Sequence, residues 1–351
     1  MNRARRHTPA LVLVGVVVVA GGFPCAAEAH GPIAPIASSY LAKVSRVPPR
    51  MEAKVVDGDL RMWLRVVPSE MVLVLDYRGA PYLRFSGSGV DVNQHSAMYY
   101  LNQTPVAETP PSNLSRTTPP RWQRVSGGYD YGWHDGRLHA LATVALAPGA
   151  TYVGRWVIPV VVDGHRSGIS GGLWYAGAPS IVWFWPIVVM LVCVAAAWRV
   201  RRPQLDALVA RVCAIVALVG IGVAAVARGL HGRPDVGVFQ LVEMGLLLAL
   251  LGWLFVRVLR IRRGYFRFFA IAFIALWEGI ELIPTLRHGF VLLALPVFLT
   301  RAATVVCLGC GACLVALAAS LAEQPEDEAP TLRVSRNARD GDDEDFIESL
   351  A

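Results

Sequence analysis

Apolar and polar residues alternate along the first half of the chain and give way to long apolar runs in the second. Between about residues 52 and 175 the period is two, the pattern of strands with one face buried. Leu60, Met62 and Leu64 alternate with Arg61, Trp63 and Arg65, and Val153, Arg155 and Val157 alternate with Gly154, Trp156 and Ile158. Strands are expected over residues 52–56, 60–66, 71–77, 81–85 and 138–146, and from Tyr152 to the triplet Asp163-Gly164-His165. Turn chemistry separates them: Asp57-Gly58-Asp59, Arg78-Gly79, Ser86 to Gly89, and Pro148-Gly149. Thr104 to Pro120 is rich in Pro, Thr and Ser and reads as a long loop. Many short strands with regular turns and no helix between them predict a β-sandwich over residues 30–177.

After Gly177 the period disappears. Five apolar stretches, at about 180–198, 205–228, 236–258, 265–284 and 301–321, each approach the twenty residues that a bilayer crossing requires. Trp183 and Trp185 open the first as interfacial aromatics. Residues 323–351 are polar and acidic and predict a disordered tail. At the other end, Arg3, Arg5 and Arg6 precede the apolar Leu11 to Ala20 and the small-residue motif Ala27-Glu28-Ala29, which predicts a signal peptide over 1–29. Cleavage there makes His30 the first residue of the mature chain.

Composition supports a membrane protein: of 351 residues, 54% are hydrophobic and only 17% are charged. The net charge of +7 comes from Arg-rich segments beside the apolar runs, which points to topology and not to nucleic acid. Arg199, Arg201 and Arg202 and the Arg257 to Arg263 segment are expected in the cytoplasm with the tail. The β domain, His231 and His288 are then expected outside. Cys25 leaves with the signal peptide. The other five cysteines lie in apolar spans, so a disulfide-free core must hold the β domain together.

Candidate chemistry is sparse. In an extended chain Asp163 and His165 would point to one side, and a carboxylate beside an imidazole suits a divalent metal. Asp-Gly is equally a turn signal. An N-terminal His30 could chelate through its amine and Nδ1, and with Asp163 and His165 would make a set that suits square-planar Cu(II). His134 and His139 flank Asp135 and Arg137 in a polar cluster that offers further ligands or a hydrogen-bonded loop. Five apart, the two histidines would face opposite sides of a single strand. His95 and Met98 allow a copper contact or, for Met98, core packing. Glu243, Glu278 and Glu281 fall within spans, where charge is costly, and Arg301 is a candidate partner. Cys307, Cys310 and Cys313 repeat on one helix face beside Gly309, Gly311 and Ala312. They suit either a soft-metal path for Cu(I) or a close helix contact. No Ser-His-Asp set, paired carboxylates or phosphate loop stands out, and no enzyme is expected.

The stretch TYVGRWVIPVVVDGHRSGISGGLWY resembles the closing strands of CopC-type copper-binding domains, and the His after the Ala-x-Ala motif resembles their mature N-terminus. The resemblance implies an immunoglobulin-like β-sandwich that binds Cu(II) through His30, Asp163 and His165. The chain also resembles actinobacterial membrane proteins with a secreted β domain, a likeness that implies no activity. The expected protein is a multi-pass membrane protein in a lipid bilayer: an extracytoplasmic immunoglobulin-like sandwich followed by a five-span helical bundle. Its leading function is extracytoplasmic copper(II) binding in copper handling. The alternative is a metal-free, membrane-anchored interaction module for an envelope or membrane protein partner.

Overall fold

The computed structural model describes residues 35–322, apart from 104–105, 141–145, 148, 201–202 and 261–264. The expected signal peptide, His30 and the acidic tail lie outside the described residues. An antiparallel β region comes first and a helical region follows.

The β region holds β1 (Ala37–Ser38), β2 (Tyr40–Arg46), β3 (Met51–Val56), β4 (Arg61–Val66), β5 (Val72–Leu75), β6 (Pro81–Ser86), β7 (Gly89–Asn93), the short helix α1 (Ala97–Leu101), β8 (Trp122–Ser126), β9 (Asp130–His134), β10 (Tyr152–Val162) and β11 (His165–Tyr175). Seven strands form one sheet in the order β2-β11-β10-β5-β6-β7-β8, and β3-β4-β9 form a second. Both sheets contribute to one core: Met62, Leu64 and Trp133 from the smaller meet Val74, Leu83, Phe85, Ile158 and Ile169 from the larger. Removing a large apolar side chain from water is worth roughly 1.5–3 kcal/mol, so this shared core holds the two layers together. Met98 lies fully buried in it, which accounts for that residue by packing.

Two Asp-Gly turns define the hairpins that matter most. In β3–β4, Asp57 and Gly58 both adopt positive φ (63° and 82°). In β10–β11, Val162 pairs directly with His165, so Asp163 and Gly164 alone make the turn, at φ of 44° and 83°. That is the conformation a two-residue hairpin requires, and Asp and Gly tolerate it best. The expected strand over 138–146 differs: Gly136–Leu138 is a 3-10 turn, and 141–145 lie outside the described residues.

The helical region contains α2 (Trp185–Val200), α3 (Pro203–Gly229), α4 (Val238–Arg260), α5 (Tyr265–Leu282), the single turn α6 (Pro284–Arg287), the two-residue β12 (Phe290–Val291) and α7 (Val297–Ala322). Three helical stretches are long and apolar enough to cross a membrane: Gln204–Gly229, Val238–Arg260 and Val297–Leu321. These three fall within the second, third and fifth of the five expected stretches. The first expected span is shorter, Ile181–Ala196 as an apolar helix, and α5 carries Arg267, Glu278 and Glu281. Helix α7 is central and packs against α5, α3 and α2. The exposed faces of the helices are rich in apolar residues such as Phe239, Leu246 and Phe273, which suits a lipid bilayer.

Candidate functional site

The pair singled out by sequence sits at the tip of the β10–β11 hairpin. Both residues are exposed. Because the turn bends the chain between them, the side-by-side presentation expected of an extended strand does not arise. Asp163 instead closes the hairpin onto the neighbouring loop: its Oδ1 accepts the Met71 amide at 3.0 Å, and its own amide donates to the Met71 carbonyl at 3.0 Å. A hydrogen bond with the Glu70 carboxyl, and then that amide, hold the Asp163 carboxyl below the usual carboxylate range. His165 Nδ1 lies 3.1 Å from the Asp163 carbonyl oxygen. Among the described residues, no group of three or more His, Cys, Asp or Glu is arranged to hold a metal ion.

His134 and His139 do meet, which strand alternation did not anticipate. Strand β9 ends at His134, and the 3-10 turn folds the chain back so that the two rings lie 4.9 Å apart between centroids. Asp135 is fully buried, and its carboxylate accepts Trp133 Nε1, the Arg137 amide and two Arg137 guanidinium nitrogens. With four hydrogen bonds it has no capacity left for a ligand. His139 Nδ1 reaches Asp59 Oδ2 at 3.0 Å. Burial, followed by the charge of His139, holds the His134 imidazole below its usual value.

The densest polar arrangement is a seam between the β region and the helix ends, and sequence reading missed it. The Asp57-Gly58-Asp59 turn is its socket. Arg233, from the loop between α3 and α4, donates Nε to Asp57 Oδ1 at 2.7 Å and a second nitrogen to Oδ2 at 2.6 Å. This two-pronged geometry is the strongest form of carboxylate recognition. The Asp57 side chain is only 4% exposed and that of Arg233 34%. Two residues on, Asp235 receives Lys54 at 2.7 Å and Arg65 at 3.4 Å. Hydrogen bonds to Asp235 and then to Glu52 hold the Lys54 ammonium above its ordinary range. Nearby, burial and then the Arg233 charge depress the His231 imidazole.

The second loop of the helical region adds main-chain bonds. Strand β1 pairs with β12, Ala37 opposite Val291 and Ser38 opposite Phe290. The Leu292 amide donates to the Ile36 carbonyl at 2.8 Å, and Ser39 Oγ lies 3.0 Å from His288 Nδ1. Gly289 approaches Ala176 so closely that an added Cβ would collide with it. Arg301 anchors this loop from α7 by donating to the carbonyls of Thr285, His288 and Gly289. It is therefore not the carboxylate partner that its position predicted. Glu278 pairs instead with Arg228 of α3, at 3.3 Å. The signal available in sequence was slight: Arg233 and Asp235 flank Pro234 in a short loop between apolar runs.

Comparison with family models, with curated proteins and with solved structures gives no match to the chain.

Proposed function

We propose that this chain is a multi-pass membrane protein whose extracytoplasmic β domain is an interaction module, seated on the outer helix ends and presenting its far hairpin to an envelope or membrane protein partner. The observation that carries this reading is the seam. Strand pairing, a two-pronged buried ion pair and a close glycine contact fix the module's orientation, as a fixed docking surface requires. Arg199 in the last turn of α2, and Arg257 and Arg260 in the last turn of α4, lie at the helix ends opposite the seam, which supports a β domain outside and a cytoplasmic tail.

The hairpin tip then faces away from the membrane, with Met71, His165 and Arg166 exposed around it. Chain length argues against the copper reading built on His30. Strand β11 has eleven residues and places Tyr175 near the helix ends and His165 at the tip, about 33 Å apart at ~3.3 Å per residue. The six residues from Ile36 back to His30 reach at most about 22 Å when fully extended.

Site-specific photo-crosslinking at Met71 and Arg166 of the full chain in its native membrane tests the reading, with Tyr152 near the seam as control. A discrete protein adduct at the tip positions alone is expected. In parallel, the purified full chain is titrated with Cu(II), wild type against His165→Ala. Equal binding by the two fits the metal-free module. Loss of a stoichiometric site in the folded variant would overturn it in favour of copper.

A further inference from the structure

The seven strands of the larger sheet carry six cations, Lys43, Arg46, Arg84, Arg124, Arg155 and Arg166, against one carboxylate, Asp91. Asp91 is already held by Arg84 at 2.8 Å and Arg124 at 2.6 Å. The other four cations share one face of three adjacent strands. Trp156, Ile158 and Val160 of β10 enter the core, so Arg155, Val157, Pro159 and Val161 face outward. Residues directly opposite one another share a face, which adds Gly172, Ser170, Gly168 and Arg166 of β11. Lys43 and Arg46 of β2 stand opposite Gly172 and Ser170 and complete the set. These four cations make no ion pair among the described residues. Aromatic rings lie beside them. An added Cβ at Gly172 would stand 2.7 Å from the Trp174 ring and 2.9 Å from the Tyr152 ring, so glycine lets both rings lie down on the sheet. Their centroids are 5.6 Å apart, and Lys43 Nζ is 5.5 Å from the centre of the Trp174 ring. Tyr152 is 51% exposed.

We propose that the outer face of β2, β11 and β10 binds an acidic polysaccharide of the envelope, a linear chain of sugar rings that carry carboxylates. Guanidinium groups take carboxylates through paired hydrogen bonds. The C–H face of a sugar ring packs on the electron-rich face of an aromatic ring, the role open to Tyr152 and Trp174. Height above the bilayer separates this occupant from a lipid surface. Strand β11 rises from Tyr175 at the helix ends. Lys43 and Arg155, level with Gly172, stand about 10 Å up and Arg166 about 30 Å, at ~3.3 Å per residue. Attraction to a headgroup layer fades over a Debye length of about 8 Å, so a flat anionic bilayer leaves the upper cations unengaged. A linear polymer lying along the sheet meets all four. A polyanion without rings would use the cations and leave the aromatic pair idle. The inference takes from the reading above only the placement of the β domain outside. It takes nothing from the hairpin tip, so failure of tip crosslinking and failure of sugar binding are separate results.

The test titrates the full chain, in nanodiscs of zwitterionic lipid, with a purified oligogalacturonate and follows binding by calorimetry. Saturable binding that weakens with added salt is expected. Lys43→Gln, Arg46→Gln and Arg155→Gln should each weaken it by roughly two- to fivefold, and the three together by at least about tenfold. All three side chains are exposed, so the variants should keep their fold, which thermal unfolding checks. Arg121→Gln removes the same charge from an exposed position off this face and should leave affinity unchanged. Tyr152→Ser should weaken binding of the oligogalacturonate and leave binding of inorganic polyphosphate as it was. No binding of the oligogalacturonate would overturn the proposal, as would equal binding by the folded triple variant. Polyphosphate binding as tightly as the sugar, with Tyr152→Ser affecting neither, would overturn the choice of a polysaccharide. Adherence to vesicles of anionic lipid without binding of the sugar would do the same.

Discussion

Replacing Arg233 by alanine removes two hydrogen bonds from the Asp57 carboxylate, which is 4% exposed in the intact pair, and leaves Arg61 at 3.9 Å beside it. An exposed ion pair contributes about 0–1 kcal/mol, whereas breaking a fully buried one costs about 3–5 kcal/mol. Arg233 is one-third exposed and solvent screens it partly, so the loss should fall between these limits, at about 1–3 kcal/mol. The cost acts on the seam, because the Arg233 guanidinium bonds to the Asp57 turn. An opening equilibrium should therefore rise by about 5–150-fold. Hydrogen exchange of the full chain in detergent reads this directly. The Leu292 amide, bonded to Ile36 across the seam, should exchange faster by that factor, while Ile158 and Val160 in the core stay protected. A double-mutant cycle with Asp57→Asn isolates the pair: the second change should cost much less once Arg233 is gone. An unchanged Leu292 rate, or equal acceleration in the core, would refute the reasoning.

Other outcomes follow from the same contacts. Gly171→Ala should destabilise the β domain by about 1–3 kcal/mol, since the added methyl meets the Lys43 carbonyl and the Trp156 ring; Gly154→Ala, which meets nothing, should stay within about 0.5 kcal/mol in thermal unfolding. The imidazoles of His134 and His231 sit below the ordinary 6.5, so the unfolded chain takes up protons first. Their contribution is complete above pH 6.5 and is lost as pH falls from there toward the folded values. Unfolding followed from pH 7.5 to about 5.5 should show declining stability, and His134→Gln with His231→Gln should flatten the slope. A membrane-impermeant maleimide should label Asp235→Cys from outside and spare Gly264→Cys; labelling at both would contradict the topology.

Much of the architecture was legible from pattern alone. Period-two alternation marks Met62 and Leu64 as inward-facing, and both are fully buried. Apolar runs separate the helical region from the β region, and the Asp-Gly dipeptides fall at turns in both hairpins. These are local properties: strand alternation, apolar length and tolerance of positive φ are all set by residues close in sequence. Even so, β7, β8 and β9 carry weak alternation. Asp91 and Asn93 are buried within β7 because partners outside the strand satisfy them.

Side-chain partnership belonged to the tertiary structure. A single turn set how Asp163 and His165 point, and a 3-10 turn brought His134 beside His139. Asp57 and Arg233 stand 176 positions apart and meet because the module lands on the helix ends. Cys310 meets Met190 because α2 packs on α7. Local spacing says which side of its own element a residue faces. It carries no information about which distant element will cover that side, because packing of whole layers and helices decides that pairing.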